Sequence, residues 1–406
     1  ASVSGTGNLV LDEANAITLT DLDANNGTIS VTAGGAITAT DVATASDNDV
    51  SLTTTSGDIT GLASVNAGSG SVSLTSASAI VDDGTASTVI TAGALTADAA
   101  GAMTLDTSVD SADLSTSAAG SISVDETDAI TLTDVDTSNG AITITAGGAI
   151  TATDVASSTD SDANDITLTG VGIAVTKIDS GSTAGDVVLD AGTGAITQDA
   201  TDDKDDVTAD SLTADAATGI DLDTTVLSAD LSVSGTGSIV LDELNAITLS
   251  DLDTTDGSIT VDAAGDVVST DVDASDAIAI TASSGDITLG GLTAGGVLGI
   301  TASTGSINDA SDDAITDLTA GGLITLTAQD EVGGIPSATT TDTAGSIELA
   351  AGSTLNASST TAGNLVLAGL GALTLEDLDT VDGSIAVTAA GALTATAVDA
   401  AGSTSD

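Results

Sequence analysis

The sequence predicts an all-β fold, a parallel β-helix in the form of a three-sided β-solenoid with about 20 residues per coil. Three features carry this prediction: a long internal repeat, a shorter repeat inside it, and apolar residues at alternate positions within each short unit. No stretch shows the apolar spacing of about 3.6 residues that an amphipathic α-helix would need.

The long repeat extends over the whole chain. Residues 12–23 return with few changes at 125–136 and 242–253, and the anchor glycines Gly7, Gly120, Gly237 and Gly363 are 113, 117 and 126 positions apart. We therefore predict a single continuous β-solenoid over residues 1–406, with long units at approximately 4–116, 117–233, 234–359 and, as a partial copy, 360–406.

Each long unit contains a shorter period, because every anchor glycine is followed by another glycine 20 positions later. In the unit of residues 27–42, apolar residues alternate at Ile29 and Val31 and again at Ile37 and Ala39, and a Gly-Gly pair separates the two runs as a turn would. The alternation then changes phase so that Val42 points inward past a corner. Three short inward-facing segments of this kind describe one coil of a three-sided solenoid.

Stacking explains how such short segments form a core. One coil cannot bury its own apolar face, whereas stacked coils bury a continuous column of Ile, Leu, Val and Ala. Small aliphatic and β-branched side chains suit the pleated walls of a narrow interior. Four polar stretches interrupt the period and are predicted to be loops that project from the solenoid: residues 43–49, 157–165, 199–206 and 311–317.

The repeats resemble those of a known family. Residues 257–268, 285–289 and 140–148 are similar to the repeats of filamentous-haemagglutinin-type adhesins of bacteria. The resemblance implies a right-handed parallel β-helix and a location outside the cell or at the cell surface. The basic glycosaminoglycan-binding segments of such adhesins have no counterpart in this sequence.

Composition excludes several functions. The chain has 61 Asp and Glu but only two Lys and Arg, a formal net charge of −59, and no His, Cys or aromatic residue. It therefore lacks zinc and haem ligands and an imidazole base, and also the basic and aromatic side chains that bind nucleic acid. No apolar run is long enough for a membrane helix, so we expect no membrane insertion. The Asp pairs recur periodically whereas a catalytic site is singular, so we predict that the chain is not an enzyme.

The candidate site is a recurring acidic motif, Asp-Leu/Val-Asp followed three positions later by Asn or Asp and then Gly. Its Asp residues at positions i and i+2 share one face of a strand, and stacked coils would align them into a ladder. Oxygen ligands of this kind suit Ca²⁺. The predicted cation ladder comprises Asp21, Asp23, Asp41, Asp134, Asp136, Asp154, Asp251, Asp253, Asp256, Asp271, Asp377 and Asp379. The alternative is a corner, since Asp and Asn side chains bond to turn backbone and Asn-Gly favours turns.

These features predict a non-catalytic structural segment of a bacterial extracellular fibre, stalk or adhesin. We expect it to self-associate, head-to-tail or laterally, into filaments, and to be stabilised by divalent cations or salt. Two alternatives stay open. One is an adhesive module that binds calcium or surface glycans of host or neighbouring cells. The other is an ice-binding β-solenoid, which the outward pairs Thr18/Thr20 and Thr38/Thr40 suggest.

Overall fold

A computed structural model describes residues 1–45, 47–85, 89–198, 205–311, 315–334 and 345–400. The chain forms two compact units, the first of Ala1–Asp202 with Asp206–Asp210 and the second of Asp203–Asp205 with Ser211–Asp406. The fold is an all-β parallel β-solenoid with about 20 residues per turn, which confirms the predicted fold class. Among the described residues no helix is long and apolar enough to cross a membrane.

The strands up to the boundary between the units, which falls within the last of them, are β1 (Ser2–Val3), β2 (Leu9–Glu13), β3 (Ile17–Leu19), β4 (Leu22–Ala24), β5 (Ile29–Ala33), β6 (Ile37–Ala39), β7 (Val42–Thr44), β8 (Val50–Thr54), β9 (Ile59–Leu62), β10 (Val65–Asn66), β11 (Ser71–Ser76), β12 (Ile80–Asp82), β13 (Ile90–Ala99), β14 (Met103–Ala119), β15 (Ile122–Glu126), β16 (Ile130–Asn139), β17 (Ile142–Ala146), β18 (Ile150–Ala152), β19 (Val155–Ser157), β20 (Ile166–Thr169), β21 (Ile173–Val175), β22 (Ile178–Asp179), β23 (Val187–Asp190), β24 (Ile196–Gln198) and β25 (Val207–Ala216). The second unit continues with β26 (Ile220–Thr236), β27 (Ile239–Glu243), β28 (Ile247–Asp256), β29 (Ile259–Ala263), β30 (Val267–Ser269), β31 (Asp271–Ala274), β32 (Ile278–Ala282), β33 (Ile287–Leu289), β34 (Gly291–Ala294), β35 (Leu298–Ala302), β36 (Ile307–Asp309), β37 (Leu318–Ala320), β38 (Leu323–Ala328), β39 (Ile347–Leu349), β40 (Ser353–Ser359), β41 (Leu365–Gly369), β42 (Leu373–Thr380), β43 (Ile385–Ala389) and β44 (Leu393–Ala400).

Three strands make a regular turn, and each pairs in parallel with the strand three places later. In the first unit β2 pairs with β5, β3 with β6 and β4 with β7. In the second unit β29, β30 and β31 pair with β32, β33 and β34 in the same way. The three inward-facing segments predicted for each turn are thus present as strands. The right-handed twist of the helix and its three-sided cross-section stay predictions.

The register places like residues above one another in the core. Ile17 lies opposite Ile37, and Leu22 lies opposite Val42. Both Ile37 and Val42 are fully buried. Alternate residues therefore form aliphatic columns that remove each other from water, as the sequence period predicts.

The four predicted loops interrupt the strands only in part. No strand lies between β19 and β20, at residues 158–165, whereas residues 46, 199–204 and 312–314 lie outside the described residues. The prediction that these stretches project throughout is wrong at five of the described positions, because Asn164 and Asp206 are 1% exposed, Ser157 and Asp317 are 5% exposed, and Thr44 is 6% exposed. Asn164 is buried because its side-chain amide donates a hydrogen bond of 2.7 Å to the carbonyl of Thr159 and so folds the loop back.

Glycines at the corners are required by the close stacking of turns. A Cβ placed on Gly27, Gly140, Gly257 or Gly383 would overlap the carbonyl oxygen of the glycine one turn earlier. None of these four has a positive φ. These glycines are therefore required by the close approach of the backbones, which excludes a side chain, and not by a left-handed conformation.

Candidate functional site

The predicted ladder forms two acidic columns. The first-unit column consists of Asp113, Asp134 and Asp154, in which Asp113 pairs with Asp134 and the N–H of Val135 donates to the Asp154 carbonyl at 2.9 Å. Asp136 lies beside this column on β16. Burial raises the pKa of Asp136 to about 6, and the charge of Asp134 and a hydrogen bond with it act in the same direction.

A lysine continues the first-unit column. The N–H of Val155 donates to the Lys177 carbonyl, so Lys177 occupies the position one turn after Asp154. The Nζ atom of Lys177 lies 3.0 Å from Oδ1 of Asp154, and the two side chains are 48% and 42% exposed. The 20-residue period does not predict this ion pair, because 23 residues separate Lys177 from Asp154.

The second-unit column consists of Asp230, Asp251 and Asp271. Asp230 pairs with Asp251, and Asp271 follows because Leu252 pairs with Val272. A parallel row beside it pairs Asp253 with Asp273. Burial is the largest cause that raises the pKa of both Asp253 and Asp271, and the neighbouring carboxylates raise it further.

The remaining residues of the predicted ladder lie outside these two columns. Asp21 and Asp41 lie in successive turns, since Leu22 pairs with Val42. A hydrogen bond with Asp21 is the largest cause that raises the pKa of Asp23. Asp256, in contrast, lies opposite Thr236 and so meets no acid in the preceding turn.

Asp377 and Asp379 line a small cavity. Asn356 pairs with Asp377 and Ser358 pairs with Asp379, so the amide and the hydroxyl of β40 lie one turn from the two acids. The cavity has a volume of about 150 Å³ and is also lined by Thr325, Leu326 and Ala357. The Oδ1 atom of Asn356 is buried and has no hydrogen-bond partner among the described residues. The cavity therefore brings an amide oxygen, a hydroxyl and two carboxylates together, and oxygen atoms are the ligands that hard cations take.

Sequence reasoning missed Asp113 and Asp230, which begin the two columns. Each lies in a strand of 17 residues, β14 or β26, and belongs to a repeated Ser-Ala-Asp-Leu-Ser segment without the second Asp of the motif. Burial is the largest cause that raises the pKa of Asp113 and Asp230, and the next Asp in the column adds to it. The repetition of that segment 117 positions apart is the sequence feature that could have identified these two residues.

A second set of acids, also missed, can hold a metal ion. Carboxylate oxygens of Asp309, Asp317 and Glu348 lie within 4.8 Å of one another. Glu348 is 1% exposed, its N–H donates to Oδ2 of Asp317 at 2.7 Å, and Ser346 donates to its Oε1 at 2.5 Å. Burial raises the pKa of Asp317 to about 8, with the charge of Asp309 contributing, although the Glu348 N–H opposes the shift. Asp317 and Glu348 are 31 residues apart, so the 20-residue period could not place them together.

Two further glutamates are buried for a structural reason. Oε2 of Glu126 accepts hydrogen bonds from the Thr107 hydroxyl at 2.8 Å and the Val109 N–H at 3.0 Å. Oε2 of Glu243 accepts the equivalent bonds from Thr224 and Val226 at 2.8 and 3.1 Å. Each glutamate therefore links its own turn to the preceding one. The Asp-Glu dipeptide that recurs in the long units was the available signal.

The corner interpretation of the acidic motif has structural support, but through another residue. The inward hydroxyl of Thr137 donates to the Gly140 carbonyl at 2.6 Å, and Thr254 and Thr380 make the equivalent bonds to Gly257 and Gly383 at 2.9 and 3.3 Å. Threonine, rather than the outward Asp residues, thus closes the corner and leaves the Asp carboxylates on the surface. The outward threonines continue beyond the two pairs noted in the sequence, because Thr18, Thr38 and Thr60 lie in three successive turns.

No protein-family model, no curated protein and no solved structure matches this chain, so the resemblance to filamentous-haemagglutinin-type adhesins stays a prediction.

Proposed function

We propose that this chain is a non-catalytic structural segment of a bacterial extracellular fibre, stalk or adhesin whose acidic columns are neutralised by divalent cations. The observation that carries the proposal is the combination of fully buried aliphatic columns with outward acidic columns in register. Such a structure presents a repeated polar surface around a largely aliphatic core.

Neighbouring turns are close enough for their carboxylates to repel one another. Unit charges about 4.8 Å apart, the distance between neighbouring strands, repel each other by about 0.9 kcal/mol even in water. Several such pairs occur in each unit, and the chain carries a formal net charge of −59. Bound cations or high salt reduce this repulsion.

Lys177 shows where a positive charge fits. Its ammonium group binds Asp154 at the end of the first-unit column, and the charge of Lys177 lowers the pKa of Asp136 against the effect of burial. In the second-unit column the position after Asp271 is Gly291, which has no charge to offer. In the second unit a divalent cation would supply the positive charge that Lys177 supplies in the first unit.

Calcium is the proposed ion because every available ligand is oxygen. The cavity at Asn356, Asp377 and Asp379 offers an amide oxygen and two carboxylates. The cluster of Asp309, Asp317 and Glu348 offers three carboxylates. The two sites lie within the second unit and would be occupied independently of the columns.

Thermal unfolding tests the cation proposal. We expect the Tm to rise when a chelator is replaced by millimolar CaCl₂, by more than it rises with NaCl of equal ionic strength. The variant Asp379→Asn should lose part of the calcium-specific rise. Asp276→Asn is the matched control, because Asp276 is an exposed acid of the same unit and its replacement changes the net charge equally. Equal responses to calcium and NaCl, or equal responses of the two variants, would contradict the calcium sites.

Self-association follows from the same electrostatics. A strongly acidic chain repels its own copies, and cations that neutralise the columns lower this barrier. We therefore expect larger sedimentation coefficients, and filaments in electron micrographs, in calcium than in chelator. Monomers that bind cells or glycans in both conditions would favour the adhesive alternative.

A further inference from the structure

The corner after the third strand contains a chemically labile dipeptide in two long units. Asn26-Gly27 and Asn139-Gly140 occupy the position at which the other two units have Asp256-Gly257 and Asp382-Gly383. In Asn-Gly, the glycine backbone nitrogen can attack Cγ of the asparagine side chain. A new C–N bond forms, the bond to the side-chain nitrogen breaks, and ammonia leaves. Water then opens the resulting succinimide to give Asp or isoaspartate.

The fold cannot remove the glycine that makes this reaction easy. A Cβ on Gly27 or Gly140 would overlap the carbonyl oxygen of Gly7 or Gly120 in the preceding turn. The absence of a side chain next to the asparagine, which leaves the attacking nitrogen unhindered, is therefore imposed by the stacking of turns.

The two asparagines differ in how their side chains are held. Oδ1 of Asn139 accepts a hydrogen bond of 2.9 Å from Nδ2 of Asn164, which is itself 1% exposed and also donates to the Thr159 carbonyl. Asn26 is exposed, and no residue in the described part of the chain forms a hydrogen bond with its side chain. The Asn139 amide must break its bond to Asn164 before Cγ can turn towards the Gly140 nitrogen, whereas the Asn26 amide is restrained by no such bond.

We propose that Asn26 is a site of spontaneous deamidation and that the hydrogen bond from Asn164 protects Asn139 from the same reaction. The direct product fits the fold, because Asp256 and Asp382 occupy the equivalent corners. At the Asn139 corner an isoaspartate would insert an extra main-chain atom where the Asn139 carbonyl accepts a hydrogen bond of 3.0 Å from the Gly120 N–H. Deamidation at Asn26 thus adds one negative charge to an already acidic corner.

Mass spectrometry of the full chain tests this proposal. The purified protein is incubated in H₂¹⁸O at mildly alkaline pH, digested with pepsin, and the deamidated fraction at each site is followed over time. Because the Asn139 amide must first break its hydrogen bond, we expect Asn26 to react about tenfold faster than Asn139 in the folded protein, a difference of about 1.4 kcal/mol in activation free energy. In urea the two rates should converge, since the immediate sequence is similar.

The variant Asn164→Ala isolates the protecting bond. We expect it to raise the rate at Asn139 towards that at Asn26, while Asn26 in the same molecule serves as the reference. If this variant does not unfold cooperatively, the comparison of folded and urea-unfolded wild-type protein decides instead. Equal rates at the two sites in the folded protein, or an unchanged rate ratio in a folded Asn164→Ala variant, would overturn the proposal.

Discussion

Gly265 gives the sharpest test of close stacking between turns. A Cβ on this residue would lie 2.7 Å from the Ala246 nitrogen and 2.9 Å from the Asn245 carbonyl carbon. These distances are well below the contact distance of about 3.5 Å. The Gly265 N–H also donates to the Asn245 carbonyl at 2.9 Å, so the two turns are held together where the methyl group would enter. Gly265→Ala must therefore separate two backbones.

The expected cost follows from these contacts. Overpacking costs about 1 to 3 kcal/mol, and the upper half of that range applies because backbone atoms cannot change rotamer to make room. Replacing Gly by Ala also restricts the unfolded chain and returns about 0.4 to 1 kcal/mol. We expect a net loss of about 2 kcal/mol in the free energy of unfolding, and amide exchange about 30-fold faster across β27 and β29.

Gly299 supplies the matched control in the same unit. Among the described residues no atom lies within 4 Å of a Cβ built on it, and its φ is not positive. Gly299→Ala should therefore raise stability slightly, by about 0.5 kcal/mol. Hydrogen exchange followed by mass spectrometry, together with urea unfolding, measures both variants. If Gly265→Ala were as stable as Gly299→Ala, the explanation by close stacking would be refuted.

Three further predictions concern pH, a buried glutamate and a corner. The pKa of Asp136 is raised above its unfolded value of 3.8 to about 6, so the stability that its proton contributes is complete below about pH 4 and is lost as the pH rises through 6. Asp136→Asn should flatten this part of the plot of Tm against pH. An unchanged plot would contradict the raised pKa of Asp136. Glu243→Ala leaves the Val226 N–H buried without its acceptor and should cost about 3 kcal/mol in urea unfolding, more than Glu243→Gln. Thr254→Val should cost about 1 kcal/mol because it removes the bond to the Gly257 carbonyl, whereas the exposed Thr255→Val should not.

The fold could be predicted because single residues in the sequence show the period of the turns. Ile29, Val31 and Ile37 mark the inward positions, and the structure buries all three. The Asp columns were predictable for the same reason, since residues one period apart must become neighbours in a parallel stack. The pattern of inward and outward residues does not indicate the handedness of the coil.

The remaining site residues escaped because they depart from the period. Lys177 and Asp154 are 23 residues apart, and Asp317 and Glu348 are 31 apart, so the 20-residue period does not align them. The role of Thr137 was missed for another reason. Its place two residues after the buried Val135 predicts that it faces inward, but the residue pattern does not show that its hydroxyl donates to the Gly140 carbonyl.

The pairing of each regular strand with one strand before it and one after it also bears on how such a gene can change. In the first unit β5 is held by β2 and β8. Residues 32–43 recur without change at 145–156, so the corresponding stretches of the chain are interchangeable. A recombination event between these two stretches would duplicate or delete 113 residues, one long unit, and would join strands that already occupy equivalent positions. Such an event would change the chain length by a whole long unit and leave the order of inward-facing residues on both sides of the junction intact.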